Sequence, residues 1–279
     1  QGMTSIEDKQ AREEASPMTE EEKPFFDGVI AALTEEEKQL ALQDPLDVLI
    51  IVRGFATENP RMQATIDAMK KIYAWRREIG YYNFLKHKME DADNFHKYWP
   101  ETMCGTDKYG HFLQCLKAGD IDMDKLEAMD EKRLEALQGQ RMLAYGMYKR
   151  NLSREKGVQR YKHTLVVDLH GVSLSLTKSS KRALLKRIFD VGTHYYPETM
   201  WKIYVVNTPM LFRGIWAIVK PWLHPITVAK VNLLGGHSSA MKQMEQEGIP
   251  ASHMPKWMGG GCEGMPASVY INSLLPQHG

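Results

Sequence analysis

Three short apolar runs, "YKHTLVVDLHGVSLS", "WKIYVVNTP" and "VAKVNLLGG", constrain this chain more than any other feature. Each combines apolar and β-branched residues with turn formers at its ends, the pattern of a buried strand. The stretches between them, "SSKRALLKRIFDVGTHYYP" and "PMLFRGIWAIVKPWLHP", read as helices. Strands that alternate with helices are joined by crossovers, so the fold class is α/β with a mostly parallel sheet. Upstream, "GTDKYGHFLQCLK" offers a turn at Asp107–Gly110 and one further strand, and residues 122–157 carry one long amphipathic helix. No internal repeat is visible.

The first hundred residues carry helical signals and no strand signal. Thr34 and Glu37 stand at capping-box spacing ahead of a helix that runs to about Gln43. Asn59-Pro60 splits the following stretch into two helices, and Met62, Ile66, Met69, Tyr73 and Arg76 recur at helical spacing in the second. Residues 1–23 are acidic and polar and are expected to be flexible, with Gln1 and Gly2 reading as a tag scar before Met3. Charge divides along the same line. Through Asp47 there are 4 Lys and Arg against 13 Asp and Glu, and the remainder holds 32 against 22. A basic body is drawn to anionic headgroups, each near-surface cation being worth about 1 kcal/mol.

Several function classes fall away. No apolar run approaches the ~20 residues that a bilayer-spanning helix needs. No charged-then-apolar signal peptide opens the chain, so the expected location is cytoplasmic. Cys104, Cys115 and Cys262 form no C-x-x-C pair, which speaks against a disulfide framework or a cysteine zinc site. Among 10 histidines none stands at H-E-x-x-H spacing, and no serine sits in a G-x-S-x-G elbow. Gly259, Gly261 and Gly264 satisfy G-x-G-x-x-G on paper, but Pro266 follows them and no βαβ unit hosts them. The expectation is a protein without catalytic residues, cofactor, metal or nucleic-acid partner.

What remains is an apolar architecture holding a few isolated charges. His163 shares strand parity with Leu165 and Val167, so it faces the side that those apolar groups face. Glu198 follows Pro197 just before a strand, and Lys230 interrupts the apolar run "TVAKVNLLGG". A lysine there is costly unless it is paired or bound to a ligand. An internal Glu198–Lys230 salt bridge and a ligand site both meet that condition. Residues 209–225 pose a separate question, being too charged to span a bilayer yet more aromatic than a surface helix requires.

Read together with "IPASHMPKWMGGGCEG", these stretches resemble the CRAL-TRIO family, in the order and spacing of yeast-type phosphatidylinositol/phosphatidylcholine transfer proteins. The resemblance runs from about Asp47 to Gly264. It implies a helical N-terminal domain over residues 24–90 and a lipid-binding domain over 91–279, whose sheet floors an apolar pocket closed by a gating helix. The gate would carry Phe212, Ile215, Trp216, Val219 and Trp222, with Gly214 and Pro221 as hinge elements, and His163, Leu165 and Val167 would line the pocket. In members that bind phosphatidylinositol, the headgroup is held by residues matching Glu198, Thr227 and Lys230, and all three are present here. Arg53 would support them.

Other positions depart from the family pattern. Ala56 stands where a second arginine is expected, His163 and Leu165 replace small hydroxyl residues, and Thr102 replaces a tyrosine. The last three speak against phosphatidylcholine as a second ligand and leave a sterol, an isoprenoid or haem open. The implied function is a phosphatidylinositol transfer protein that exchanges or presents lipid at membranes. It would act as a monomer with transient membrane contact, and a lipid kinase is a further expected partner. The other open reading is a carrier or sensor of a different hydrophobic ligand.

Overall fold

The computed structural model describes residues 5–173, 178–208 and 212–276, apart from the side chains of residues 213 and 215. Its centre is a six-stranded sheet in the order β5-β4-β3-β2-β1-β6. The strands are β1 (Thr102–Thr106), β2 (Phe112–Lys117), β3 (His163–Asp168), β4 (Met200–Val206), β5 (Val231–Leu233) and β6 (Met265–Pro266). β2 through β5 run parallel, whereas β1 pairs antiparallel with both β2 and β6. The turn expected at Asp107–Gly110 therefore closes a hairpin whose first arm, β1, carries no strong apolar signal in the sequence.

Strand alternation separates two cores. Leu113, Cys115, Val166, Tyr204 and Val206 face one side, under α12 (His237–Gln246) and the loop holding Ile249, Met254 and Met258. Phe112 and Leu116 face the other, against α8 (Glu131–Lys156) and α9 (Ser179–Tyr195). Expected as one helix, residues 122–157 form α7 (Met123–Glu127) and α8, because Asp130 takes an extended conformation and caps the second through the Arg133 N–H.

The helical layer comprises α2 (Lys23–Ala32), α3 (Glu35–Gln43), α4 (Pro45–Gly54) and α5 (Arg61–Glu78), and α6 (Ala92–Tyr98) follows before β1. Thr34 and Glu37 form the expected capping box of α3, and Pro45 opens α4 at a position where its missing N–H costs nothing. Phe26, Val29, Val48, Ile51, Val52, Met69 and Ile72 build the core of this layer. Trp75 of α5 stacks on Tyr195 of α9 at 4.1 Å, which joins the layer to the sheet domain.

The segment expected to be flexible is instead a helix, α1 (Ile6–Ala15), opened by a Ser5–Asp8 capping box. Burial of Glu14, only 1% exposed, is the reason. Its carboxylate accepts the backbone N–H groups of Tyr161 and Lys162, both at 2.7 Å, and meets His111 Nε2 at 2.6 Å. No helix among the described residues is long and apolar enough to cross a membrane.

Candidate functional site

Because β3, β4 and β5 are parallel neighbours, the residues that enter them line the same end of the sheet. Lys162 immediately precedes β3, Glu198 stands two residues ahead of β4, and Lys230 immediately precedes β5. The result is a row of cation, carboxylate and cation. Glu198 Oε2 meets Lys162 Nζ at 2.9 Å, with side-chain exposures of 17% and 15%. Lys230 makes no ion pair among the described residues, and its ammonium donates to the Met200 carbonyl at 2.7 Å. Two readings of the sequence are thereby corrected. Lys230 lies in the turn between α11 (Pro225–Val228) and β5 rather than inside a strand, and the ion pair of Glu198 is made with Lys162 instead of Lys230.

Electrostatics along the row are unequal. Burial would raise the Glu198 pKa, but Lys162 and then Lys230 outweigh it and hold the carboxyl below its ordinary value. Burial would likewise lower Lys162, but Glu198 reverses that and leaves it raised. Lys230 is lowered, because burial exceeds the help that it receives from Glu198 and Lys162 opposes it further. Glu198 has thus satisfied one lysine and left the other short of negative charge. A phosphate placed at Lys230 would supply it.

Backbone geometry fixes the middle of the row. Glu198 has φ 58°, a left-handed conformation that a non-glycine residue holds only when its surroundings compel it. The C-terminal end of α4 presses on it. A Cβ added at Gly54 would stand 2.7 Å from Glu198 Cγ, so a glycine is what permits this approach. Thr227 lies in the last turn of α11, and its carbonyl accepts the Lys230 N–H at 3.0 Å, which places it one turn from Lys230.

Arg53 is turned elsewhere. Its guanidinium binds Glu22 at 2.8 Å and the carbonyls of Ser16 and Pro17, both at 3.1 Å. These acceptors exist because the N-terminal segment is folded over α4, and they occupy the fork that headgroup support would require. His163 is also engaged internally. It is fully buried and stacks on Phe112 at 4.9 Å. Nε2 faces the Gln114 amide oxygen at 2.8 Å and Nδ1 faces Lys149 Nζ at 3.5 Å. The buried Lys149, whose pKa burial lowers to about 7, donates to the Tyr161 carbonyl at 2.7 Å. From Gln114 the network continues to Glu101 at 2.8 Å, which also accepts Trp99 Nε1 at 2.8 Å. Strand parity does put His163 on the side of Leu165 and Val167, but its two nitrogens serve this network.

Leu165 and Val167 instead join Ile203 and Val205 on an apolar face where Phe212 of α10 (Phe212–Val219) is buried. Phe212 stacks on Trp216 at 6.2 Å, and Trp222, in the 3-10 turn that follows, lies 6.2 Å from Phe189. Val219 is half-buried, while the Ile215 side chain and residues 209–211 lie outside the described residues. Two clefts of about 130 and 330 Å3 open elsewhere, the first around Lys156 and Arg160 and the second around Asp120 and Lys181. Among the described residues, Phe212 and Trp216 of α10 pack on the apolar face.

Comparison with known proteins agrees with this architecture. The CRAL/TRIO domain family matches residues 96–260. The chain is 27% identical over 247 residues to the Sec14 cytosolic factor of Schizosaccharomyces pombe, an overlap that covers 87% of this chain and 84% of that protein. It is 28% identical over 193 residues to the phosphatidylinositol/phosphatidylcholine transfer protein SFH7 of Arabidopsis thaliana, covering 67% of this chain and 34% of that one. The crystal structure of Sfh5 superposes with a TM-score of 0.53 at 17% identity, over 78% of this chain and 82% of that chain. At that identity the last likeness is one of fold.

Proposed function

The chain belongs to the CRAL/TRIO domain family, and from that premise we propose that it is a phosphatidylinositol transfer protein, exchanging the lipid between membranes or presenting it there. One observation carries the choice of headgroup: Glu198 and an under-compensated Lys230 share one end of the parallel strands, with Thr227 a turn away. Lys230 supplies charge to the lipid phosphate, Thr227 offers a hydroxyl, and Glu198 accepts from inositol hydroxyls. The apolar face under α10 receives the acyl chains, which leave one apolar environment for another, so their net transfer energy stays small. This reading assigns no covalent step. A cytoplasmic protein working as a monomer, with transient membrane contact and a lipid kinase as recipient, completes it.

A carrier of haem through His163 finds no support, because both ring nitrogens face protein groups in a fully buried position. The test is transfer of labelled phosphatidylinositol between vesicles by the full chain. Glu198→Gln combined with Lys230→Met is expected to lower the rate at least about tenfold while the variant stays folded at the assay temperature, since each lost charge-assisted hydrogen bond is worth about 1.5–3 kcal/mol. A double variant that transfers at the parental rate would remove the headgroup assignment.

A further inference from the structure

Lys162 has no assigned role, yet it is the immediate partner of Glu198, the residue on which the proposed headgroup site turns. Three observations separate it from an incidental surface ion pair. Its side chain is 15% exposed, so the pair is largely shielded from solvent and salt. Its backbone is fixed independently, because the Lys162 N–H donates to the buried Glu14 carboxylate at 2.7 Å. And the register of β3 against β4 sets it beside Glu198 on the side opposite the lysine that enters β5.

Held between two lysines, Glu198 has two possible partners. If it paired with Lys230, it would consume the cation that the phosphate needs. The ion pair to Lys162 prevents this by drawing the carboxylate toward β3. We infer that Lys162 is a positioning residue: it holds Glu198 away from Lys230, so that Glu198 faces inositol hydroxyls while Lys230 remains open to the phosphodiester. Lys162 itself does not touch the lipid. The lysine at 162 and the glutamate at 14 thus act in series, Glu14 fixing the main chain of residues 161–162 and Lys162 fixing Glu198. The inference rests on the phosphatidylinositol reading above and gives that site its internal order.

Positioning through competition has a signature that neither a purely structural pair nor a direct ligand contact shares. In Lys162→Met, Glu198 loses its partner and turns to Lys230, so the phosphate site is closed from within. Adding Glu198→Gln then releases Lys230 again. The same Glu198→Gln change therefore lowers transfer in the parent and raises it in the Lys162→Met background, a reversal of sign that a double-mutant cycle reads directly.

The experiment measures phosphatidylinositol uptake from phosphatidylcholine vesicles doped with that lipid, using the full chain and four proteins: parent, Lys162→Met, Glu198→Gln and the double variant. Expected are a loss of about tenfold or more in Lys162→Met, recovery in the double variant to the level of Glu198→Gln, and near-parental uptake in Lys162→Arg, which keeps the pair. The Arg variant also keeps the test open should Lys162→Met fail to fold. Parental uptake by Lys162→Met overturns the inference. So does a double variant weaker than both single variants, because Lys162 would then contact the ligand itself. A parent that takes up none of this lipid removes the functional reading, and the inference falls with it.

Discussion

Glu198 carries an unusual load for one side chain. It adopts φ 58°, pairs with Lys162, and lies under the end of α4, where only the missing side chain of Gly54 leaves room. Gly54→Ala makes this dependence measurable. The residue closes a helix, where alanine is favoured over glycine by up to about 1 kcal/mol, so the helix itself gains. The new methyl group, however, would stand 2.7 Å from Glu198 Cγ, an atom too near the backbone to swing aside freely. The expected outcome is a net loss of thermal stability, since such overpacking costs about 1–3 kcal/mol against that gain, with phosphatidylinositol uptake reduced several-fold; equal uptake would mean that Glu198 tolerates displacement. Glu198 and Lys230 were readable as lone charges in apolar surroundings. Lys162 was not, because it stands in "SREKGVQRYKH", where one more cation draws no notice. Its importance depends on the strand that follows it and on the register of that strand against β4.

At the scale of elements, α1 shows why composition misleads. Glu13 and Glu14 are adjacent and chemically identical, yet Glu13 is exposed while Glu14 is buried against His111, whose other nitrogen meets Asp107 at 2.9 Å. Nothing in an acidic run marks which carboxylate will find an imidazole from a hairpin about a hundred residues away. The same pair gives α1 docking a pH dependence. Burial would lower the His111 pKa, but Asp107 and Glu14 raise it above its ordinary 6.5, so its contribution is complete below that value and lost as pH rises through the raised one. Burial would raise Glu14, but His111 and the Lys162 N–H lower it below 4.5, so its contribution is complete above 4.5 and lost as pH falls through the depressed value. Docking is therefore firmest between about pH 4.5 and 6.5, and it weakens as pH rises through the raised His111 value or falls through the depressed Glu14 value. Protection of α1 amides from hydrogen exchange, or resistance to tryptic cleavage at the exposed Arg12, should follow that profile. Glu14→Ala should abolish the profile at a cost of about 3–5 kcal/mol, the usual penalty for orphaning one member of a buried pair. A profile unchanged by the substitution would place the titration elsewhere.

For the whole molecule, the parallel half of the sheet was legible because β3, β4 and their crossover helix carry patterns of the right length, and strands in parallel array admit few other arrangements. The antiparallel additions β1 and β6 were not, since five and two residues give too little alternation to stand out. The apolar pocket expected under α10 raises the last question. In the structure Phe212 itself packs on Leu169, Ile203 and Val205, with Leu165, Val167 and Trp216 around it. Acyl chains bound on this face would displace Phe212 and its neighbours, so the contacts of Phe212 should matter less to stability with lipid bound than without it. Phe212→Ala tests this. In lipid-stripped protein it should cost about 3–5 kcal/mol, as a buried phenylalanine usually does. With phosphatidylinositol bound, the acyl chains cover the same surface and the loss should shrink to a fraction of that. Calorimetry of both forms, for parent and variant, reads the difference directly. If the penalty is the same with and without lipid, α10 belongs to the permanent core and the acyl chains must enter elsewhere.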